Sequence, residues 1–303
     1  MADTDSVVRL SASSTPSARR EVTLVVVTRD RPELFRDWAL PGLLQATRDD
    51  WQVLVIDQST GRDTRNLCNA AQIPVATGPS GLSRGRNLAL RQAVTPIVVF
   101  TDDDISFEAT FLEHMWRGFQ TSANVGAVLG RGRWPHGALM PGGTAGLHSW
   151  PVNPFTLGSG YNYAVRVEAC LDVGGFDVDL GPGARFAGAD DTEMLIALLL
   201  AGHVVVCTDA SVVTHPEWRT HRQEISRQFG YGAGTAVAVQ RHWRSDAHLL
   251  AFAARRLLQQ AARVGSAARR LDLATATVAV AYLAGFASGS ARGAFATRRS
   301  GAA

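Results

Sequence analysis

The chain has 303 residues, of which 46% are hydrophobic and 19% charged, with a net charge of +3. This composition supplies a substantial core, argues against global disorder and suits one large domain or one domain with a helical appendage. All 30 basic residues are arginine, which excludes Schiff-base chemistry and a lysine-bearing phosphate loop and leaves any phosphate to arginine.

Residues 1–20 are polar, lack an apolar stretch and read as a flexible leader, not a secretory signal. "EVTLVVVTRD" (21–30) is a β-branched run that predicts a buried strand. "RPELFRDWALPGLLQATRDD" has helical spacing, with a break expected at Pro41. "WQVLVIDQST" (51–60) predicts a second strand ending at Asp57, "GRDTRNLCNAAQ" a helix and "IPVATG" a brief third strand. "GLSRGRNLALRQAV" (81–94) reads as a loop leading into a helix, and "PIVVF" (96–100) as the next strand. Alternation of apolar strands with helices predicts a mostly parallel sheet flanked by helices, whose ligands gather at the carboxyl ends of the strands.

Residues 130–160 are rich in glycine and proline and show no period. Such a long loop in a compact domain is usually functional or mobile. "YNYAV" predicts a strand, "RVEACLDVGGFD" a helix with a Gly-Gly stop, and "GADDTEMLIALLLAGH" (188–203) a helix opened by two aspartates. Short strands then lead to His215, and from about 221 the chain reads as helical, interrupted by "GYGAG" (230–234). Cys68, Cys170 and Cys207 are odd in number and widely spaced, as expected of three ordinary thiols in a reducing compartment.

Three polar signals fall at predicted strand ends: Thr28-Arg29-Asp30, Asp57 and Asp102-Asp103-Asp104. In extended chain, residues two apart point to the same side, so Asp102 and Asp104 face one ligand while Asp103 faces away. Two hard oxygen donors suit Mg²⁺ or Mn²⁺ shared with a substrate diphosphate. A capped turn before the helix at 108 explains a lone D-x-D equally simply, and the preceding apolar strand favours the ligand. Asp190 and Asp191 open a helix, where favourable interaction with the helix dipole is the plain alternative to chemistry.

Taken in order, "VVVTRDR", "VLVIDQST", "GLSRGRNLAL", "VVFTDDDI", "GSGYNYAVRVEACLDVGGFD" and "GADDTEMLIALLLAG" resemble the family 2 glycosyltransferases of the GT-A fold, over roughly residues 21 to 218. The resemblance implies a nucleotide-sugar-binding α/β domain over 21–220, with a C-terminal helical extension over 221–303. It implies an inverting, metal-dependent transfer from a nucleotide diphosphate sugar to an acceptor hydroxyl. Thr28 and Asp57 would hold the nucleoside, with Arg29 and Asp103 beside them. Arg84, Arg86 and Asn87 would lie near the nucleotide. Asp102 and Asp104 would bind ribose and Mn²⁺ or Mg²⁺. Asp191 would be the catalytic base. Asp190 stands where the family usually has glutamate, and this shorter acid leaves open which aspartate reaches the acceptor. His215 fits the place of a further metal ligand, although a lone histidine is more often structural. Asp57 is compatible with a pyrimidine, so a UDP- or dTDP-sugar is the expected donor.

A sugar, lipid-linked or small-molecule acceptor is expected, with Trp134 and Trp150 as stacking candidates in the 130–160 loop. Asn162 and Tyr163 lie before the acceptor-side helix. Residues 241–303 carry a net +8, so the rest of the chain carries −5. No zinc-finger, basic-zipper or ribonucleoprotein motif supports nucleic acid. Leu273 to Ala291 is uncharged but dominated by small residues, which favours a packed or membrane-surface helix over a span. The expected location is cytoplasmic, with contact at the inner face of a membrane open to these helices and their flanking arginines. A sugar nucleotidyltransferase and a non-catalytic nucleotide-sugar-binding protein are the competing readings. The first strand lacks the glycines the former needs, and the retained aspartates argue against the latter.

Overall fold

The computed structural model describes residues 16–216 and 219–293. In chain order these form α1 (Pro16–Glu21), β1 (Val22–Thr28), α2 (Pro32–Leu34), a π-turn (Phe35–Ala39), α3 (Leu40–Arg48), β2 (Gln52–Asp57), α4 (Asp63–Ala70), β3 (Val75–Thr77), α5 (Leu82–Gln92), β4 (Ile97–Asp102) and α6 (Thr110–Phe119). There follow β5 (Val125–Arg133), β6 (Gly146–His148), a short 3₁₀ turn (Pro154–Thr156), β7 (Asn162–Arg166), α7 (Val167–Asp172), α8 (Asp190–Leu200), β8 (Val204–Thr214), α9 (His221–His242), α10 (His248–Arg269) and α11 (Leu273–Gly293).

All seven residues of β1 are buried, as expected of a central strand covered on both faces. Val22, Leu24 and Val26 join Leu43 of α3 and Leu112 of α6 in one layer, whereas Val25 and Val27 join Leu90 of α5 and Leu195 of α8 in the other. This period of two makes the run a strand sandwiched between helices. The eight strands lie in the order β3-β2-β1-β4-β7-β5-β8-β6. β7 runs antiparallel to both β4 and β5, and β6 antiparallel to β8, while the remaining pairs are parallel.

Register fixes the site. Thr28 pairs with Asp57, Val27 with Asp102, and Thr101 with Asn162. The carboxyl ends of β1, β2 and β4 therefore finish level. Because β7 is antiparallel, the Gly160–Tyr161 turn that enters it reaches the same edge, and β8 delivers His215 there as well.

Several local signals resolve differently in three dimensions. Pro41 does not break its helix. It sits in the first turn of α3, where a missing N–H costs little, after the π-turn has reset the register. The 130–160 segment includes the end of β5 and all of β6. Of the expected leader, residues 1–15 lie outside the described residues, while 16–20 belong to α1, which buries Ala18. The "GYGAG" glycines do not interrupt α9. A Cβ on Gly232 would overlap the Tyr282 carbonyl, and one on Gly285 the Phe229 carbonyl, so glycine is what lets α9 and α11 touch. α9 also joins the main body. Ala233, Val237 and Ala238 pack with Leu180, Phe186 and Ile196, and Arg241 pairs with Asp177 and Asp179.

Candidate active site

A cleft of about 510 Å³ opens at the carboxyl ends of β1, β2 and β4. Its floor is Thr28 and Asp102, one wall is Gln58 with Gly81 and Leu82 at the start of α5, and the opposite wall is Arg219, Gln223, Arg227 and Tyr231. Arg29, Arg31, Arg219 and Arg227 all line it. Four guanidinium groups over an aspartate floor make a cleft suited to a diphosphate. Arg31, Gln58, Arg219, Arg227 and Tyr231 escape a sequence reading. The clue, visible only afterwards, is that Arg219 follows His215 by four residues.

The three aspartates have distinct surroundings. Asp103 is fully buried, accepts a 2.7 Å hydrogen bond from Thr28 Oγ1 and lies 2.6 Å from Arg31 Nη2. Burial raises its carboxyl to about 7 against the pull of Arg31 and Thr28. Asp102 remains half-buried on the cleft floor, and burial, then the neighbouring Asp104 charge, push it upward. Asp104 Oδ2 meets Arg219 Nη2 at 3.3 Å and Arg31 Nη1 at 3.7 Å, while its Oδ1 lies 3.9 Å from His215 Nε2. Asp103 thus turns back toward Thr28 and Arg31, while Asp104 is aimed at Arg219 and His215.

His215 is buried, and its Nδ1 donates to the Pro216 carbonyl at 2.8 Å, leaving Nε2 on the side of Asp104. Arg219 Nη1 lies 3.4 Å from that nitrogen. A guanidinium cation therefore stands on the Asp104–His215 pair, and these two donors fit a hard divalent ion equally well. No trio of Cys, His, Asp or Glu forms a closed cage among the described residues. Two protein ligands with the rest from substrate oxygens and water is the arrangement Mg²⁺ and Mn²⁺ favour.

Asp190 and Asp191 part company at the start of α8. Asp190 is buried, its Oδ2 is 2.7 Å from Arg86 Nη1, and burial raises it to about 6 against that arginine. Arg86 also donates to the Gly160 carbonyl at 3.0 Å and lies against the edge-on pair of Phe100 and Phe176, 5.4 and 5.3 Å from their ring centroids. Asp191 accepts from the Gly160 and Thr192 N–H groups, each at 2.7 Å, and lines a second cavity of about 140 Å³. Tyr231 lines both cavities and so stands between the diphosphate-sized cleft and Asp191.

Other residues singled out in the sequence sit elsewhere. Arg84, Arg86 and Asn87 are on α5 itself, not in a loop before it. Arg84 is exposed and does not line the cleft. Asn87 exchanges two 2.7 Å hydrogen bonds with the Phe176 backbone, which holds the Gly174-Gly175 turn against α5. Asp57 is buried beneath the cleft wall, paired with Arg65 at 2.9 Å and the Ser59 N–H at 3.0 Å, and Gln58 presents the surface instead.

The four expected acceptor contacts are not supported. Asn162 is fully buried and donates to the Arg131 and Ser211 carbonyls. Tyr163 is fully buried in the core, with no partner for its hydroxyl among the described residues. Trp150 Nε1 donates to Asp246 at 2.6 Å and its ring meets Phe252 edge-on, so it fastens the loop to α10. Trp134 lies in the hairpin turn closed by Ala138 and lines neither cavity.

Comparison with known proteins agrees with this arrangement. Residues 24–138 match the profile described as Glycosyl transferase family 2. No curated protein matches the chain. A mannosyltransferase from Pyrobaculum calidifontis, solved in complex with GDP-Man and Mn²⁺, is similar with a TM-score of 0.62 and 19% identity, over 91% of this chain and 89% of that one. TarS of S. aureus, residues 1–349, is similar with a TM-score of 0.55 and 14% identity, over 88% of this chain and 92% of that one, and it has also been solved with UDP-GlcNAc. The segment over residues 24–138, which carries β1, β2 and β4 and the cleft at their ends, thus matches glycosyl transferase family 2, and the chain is a glycosyltransferase with a GT-A-type fold.

Proposed function

We propose that the enzyme transfers a sugar, with inversion, from a nucleotide diphosphate donor to an acceptor hydroxyl. The observation that carries this reading is the pair of adjoining cavities. The larger is arginine-lined and suits a nucleotide diphosphate, the smaller contains Asp191, and Tyr231 forms a wall of each. Structural neighbours solved with GDP-Man and UDP-GlcNAc support a donor of this class.

Arg31, Arg219 and Arg227 would hold the diphosphate, and Thr28 and Asp102 the nucleoside and sugar above the sheet. Asp191 would take the proton of the acceptor hydroxyl as that oxygen bonds to the anomeric carbon. The electron pair of the breaking bond leaves on the diphosphate, opposite the attack, so the anomeric centre inverts. General-base help of this kind is worth about 10²–10⁴ in rate. Asp104 and His215 would hold Mn²⁺ or Mg²⁺, which offsets the charge developing on the leaving diphosphate when bound. Asp190, fixed by Arg86, would position Asp191 from behind.

A UDP- or dTDP-sugar is the expected donor, with Gln58 rather than the buried Asp57 at the cleft surface. Binding of UDP-, dTDP- and GDP-sugars, measured calorimetrically with and without Mn²⁺, tests it. Mn²⁺-dependent binding of one donor, followed by its slow hydrolysis, is the expected result. Failure of every nucleotide to bind would overturn the reading.

Membrane contact belongs to the same reading. α11 is long and apolar enough to cross a bilayer, and only 28% of its apolar window is buried. Exposed Leu258, Leu271 and Leu273 lie among Arg255, Arg263, Arg269 and Arg270, which suits a helix pair resting on an anionic surface. Arg298 and Arg299 lie outside the described residues.

A further inference from the structure

The small cavity beside Asp191 is walled largely by the C-terminal helices. Tyr231 and Thr235 come from α9, Arg256 from α10 and Tyr282 from α11. These side chains are fastened to one another. Tyr282 donates to Thr235 at 3.1 Å, Thr235 donates to the Tyr231 carbonyl at 2.7 Å, and the Arg256 guanidinium sits 5.4 Å from the Tyr282 ring centroid.

Among the described residues, Arg256 is the one cation lining this cavity. It is half-buried, and among the described residues no carboxylate lies within ion-pair distance of it. Asp191 faces the same space, but the Gly160 and Thr192 N–H groups already neutralise much of its demand. A partly dehydrated guanidinium without a carboxylate, facing a cavity that contains a proton acceptor, is costly unless an anion arrives to meet it.

We propose that this cavity takes an acceptor carrying an oxyanion, a phosphate or a carboxylate, beside the hydroxyl that receives the sugar. The proposal rests on Asp191 being the base. Charge then sets the acceptor's orientation. Asp191 repels the anion and Arg256 attracts it, so the anion lies on the helical side and the hydroxyl turns toward Asp191. Tyr231 and Tyr282, which also line the cavity, would supply apolar contact between the two poles. The volumes agree with this division, since about 140 Å³ suits a small terminal unit and about 510 Å³ the nucleotide sugar. Arg256 thereby becomes a specificity residue contributed by the helical extension.

The experiment uses the full chain and calorimetric binding of paired probes. Glycerol 3-phosphate, glucose 1-phosphate and glucuronate are the anionic arms, and glycerol and methyl glucoside the neutral ones. A short-chain prenyl phosphate separates a lipid-linked phosphate from a soluble one. At least one anionic probe is expected to bind about tenfold or more tightly than its neutral counterpart, a difference of about 1.4 kcal/mol. Arg256→Gln should erase that preference and Arg256→Lys restore part of it. Binding of a nucleoside diphosphate with Mn²⁺ should be unchanged in both variants, which also reports that they fold. Equal binding of neutral and anionic probes, a preference that survives Arg256→Gln, or no anionic binding at millimolar concentration would each overturn the proposal. Failure of the donor reading would appear separately, as absent nucleoside diphosphate binding in the unmodified enzyme.

Discussion

Arg86 Nη1 lies 2.7 Å from Asp190 Oδ2 in the interior, while the next residue, Asp191, turns its carboxylate to a cavity. Adjacent acids at one helix start thus have opposite surroundings. Asp191→Asn is expected to lower transfer by at least about 10², within the range of lost general-base catalysis. Calorimetric donor binding should stay within about twofold of the unmodified enzyme by the same division of roles. Near-full transfer activity in Asp191→Asn would remove it as the base.

Asp190 makes a different prediction. Its side chain and that of Arg86 are 6% and 3% exposed, so removing one partner strands the other. Arg86→Leu is expected to cost about 3–5 kcal/mol in chemical denaturation, as for other buried pairs broken on one side. pH gives an independent check. The carboxyl is raised from 3.8 to about 6 on folding, so the folded state binds more protons across that window. Its contribution to stability is therefore complete below about 4 and is lost as pH rises through about 6. Asp190→Asn should flatten the dependence of Tm on pH in that interval relative to the unmodified protein. An unchanged slope would show that Asp190 is not the group responsible.

The Asp104–His215 pair yields a third. Chelation with EDTA is expected to abolish transfer. Asp104→Ala should weaken Mn²⁺-dependent donor binding most, and His215→Ala by less, because its nitrogen would add only a second donor to a site that substrate oxygens would complete. Loss of one charge-stabilising contact typically costs on the order of 3 kcal/mol in the barrier. Full activity after chelation would assign that stabilisation to Arg219 and its neighbouring arginines alone.

What the sequence reveals and conceals follows from where the determinants lie. β1 and β4 are legible because a strand buried on both faces must be a continuous apolar run. Thr28, Asp102 and the level at which they end follow directly. Arg219, Arg227 and Tyr231 are not legible, because only the packing of α9 over the sheet brings them to residues about 200 positions earlier. Arg86 and Asn87 stand near the nucleotide only by the family resemblance, and their buried partners, Asp190 and the Phe176 backbone, lie about 90–100 residues away in the chain, where no local pattern shows them. The glycines of "GYGAG" mislead. Low helix propensity is a local property, and the reason for these glycines is distant backbone, that of Tyr282 on α11 against Gly232 and that of Ala187 and Gly188 against Gly230 and Gly234.

That close approach is itself testable. Gly285→Val places a branched side chain against the Phe229 carbonyl, and relaxation requires α11 to move off α9. Overpacking typically costs about 1–3 kcal/mol, and Tyr282 would shift with the helix. Tm should fall, and acceptor-dependent turnover should fall further than donor hydrolysis, because the donor cleft takes no residue from α11. Equal losses in both would show that α11 supports the whole molecule and not the acceptor side in particular.

The outer face of the helical pair supplies the last prediction. Leu258, Leu271 and Leu273 are 70%, 86% and 76% exposed, an unfavourable arrangement in water for three large apolar side chains, one on α10, one in the turn after it and one at the start of α11. Arg255, Arg263, Arg269 and Arg270 are exposed beside them. Each arginine near an anionic surface contributes about 1 kcal/mol, and that attraction weakens with salt. The protein should therefore sediment with vesicles containing anionic lipid, sediment less at high salt, and leave neutral vesicles in the supernatant. Leu258→Gln with Leu271→Gln should reduce binding without changing Tm, since neither side chain is packed. Salt-insensitive sedimentation, or equal recovery with neutral vesicles, would mean that insertion of α11 rather than surface charge holds the enzyme at the bilayer.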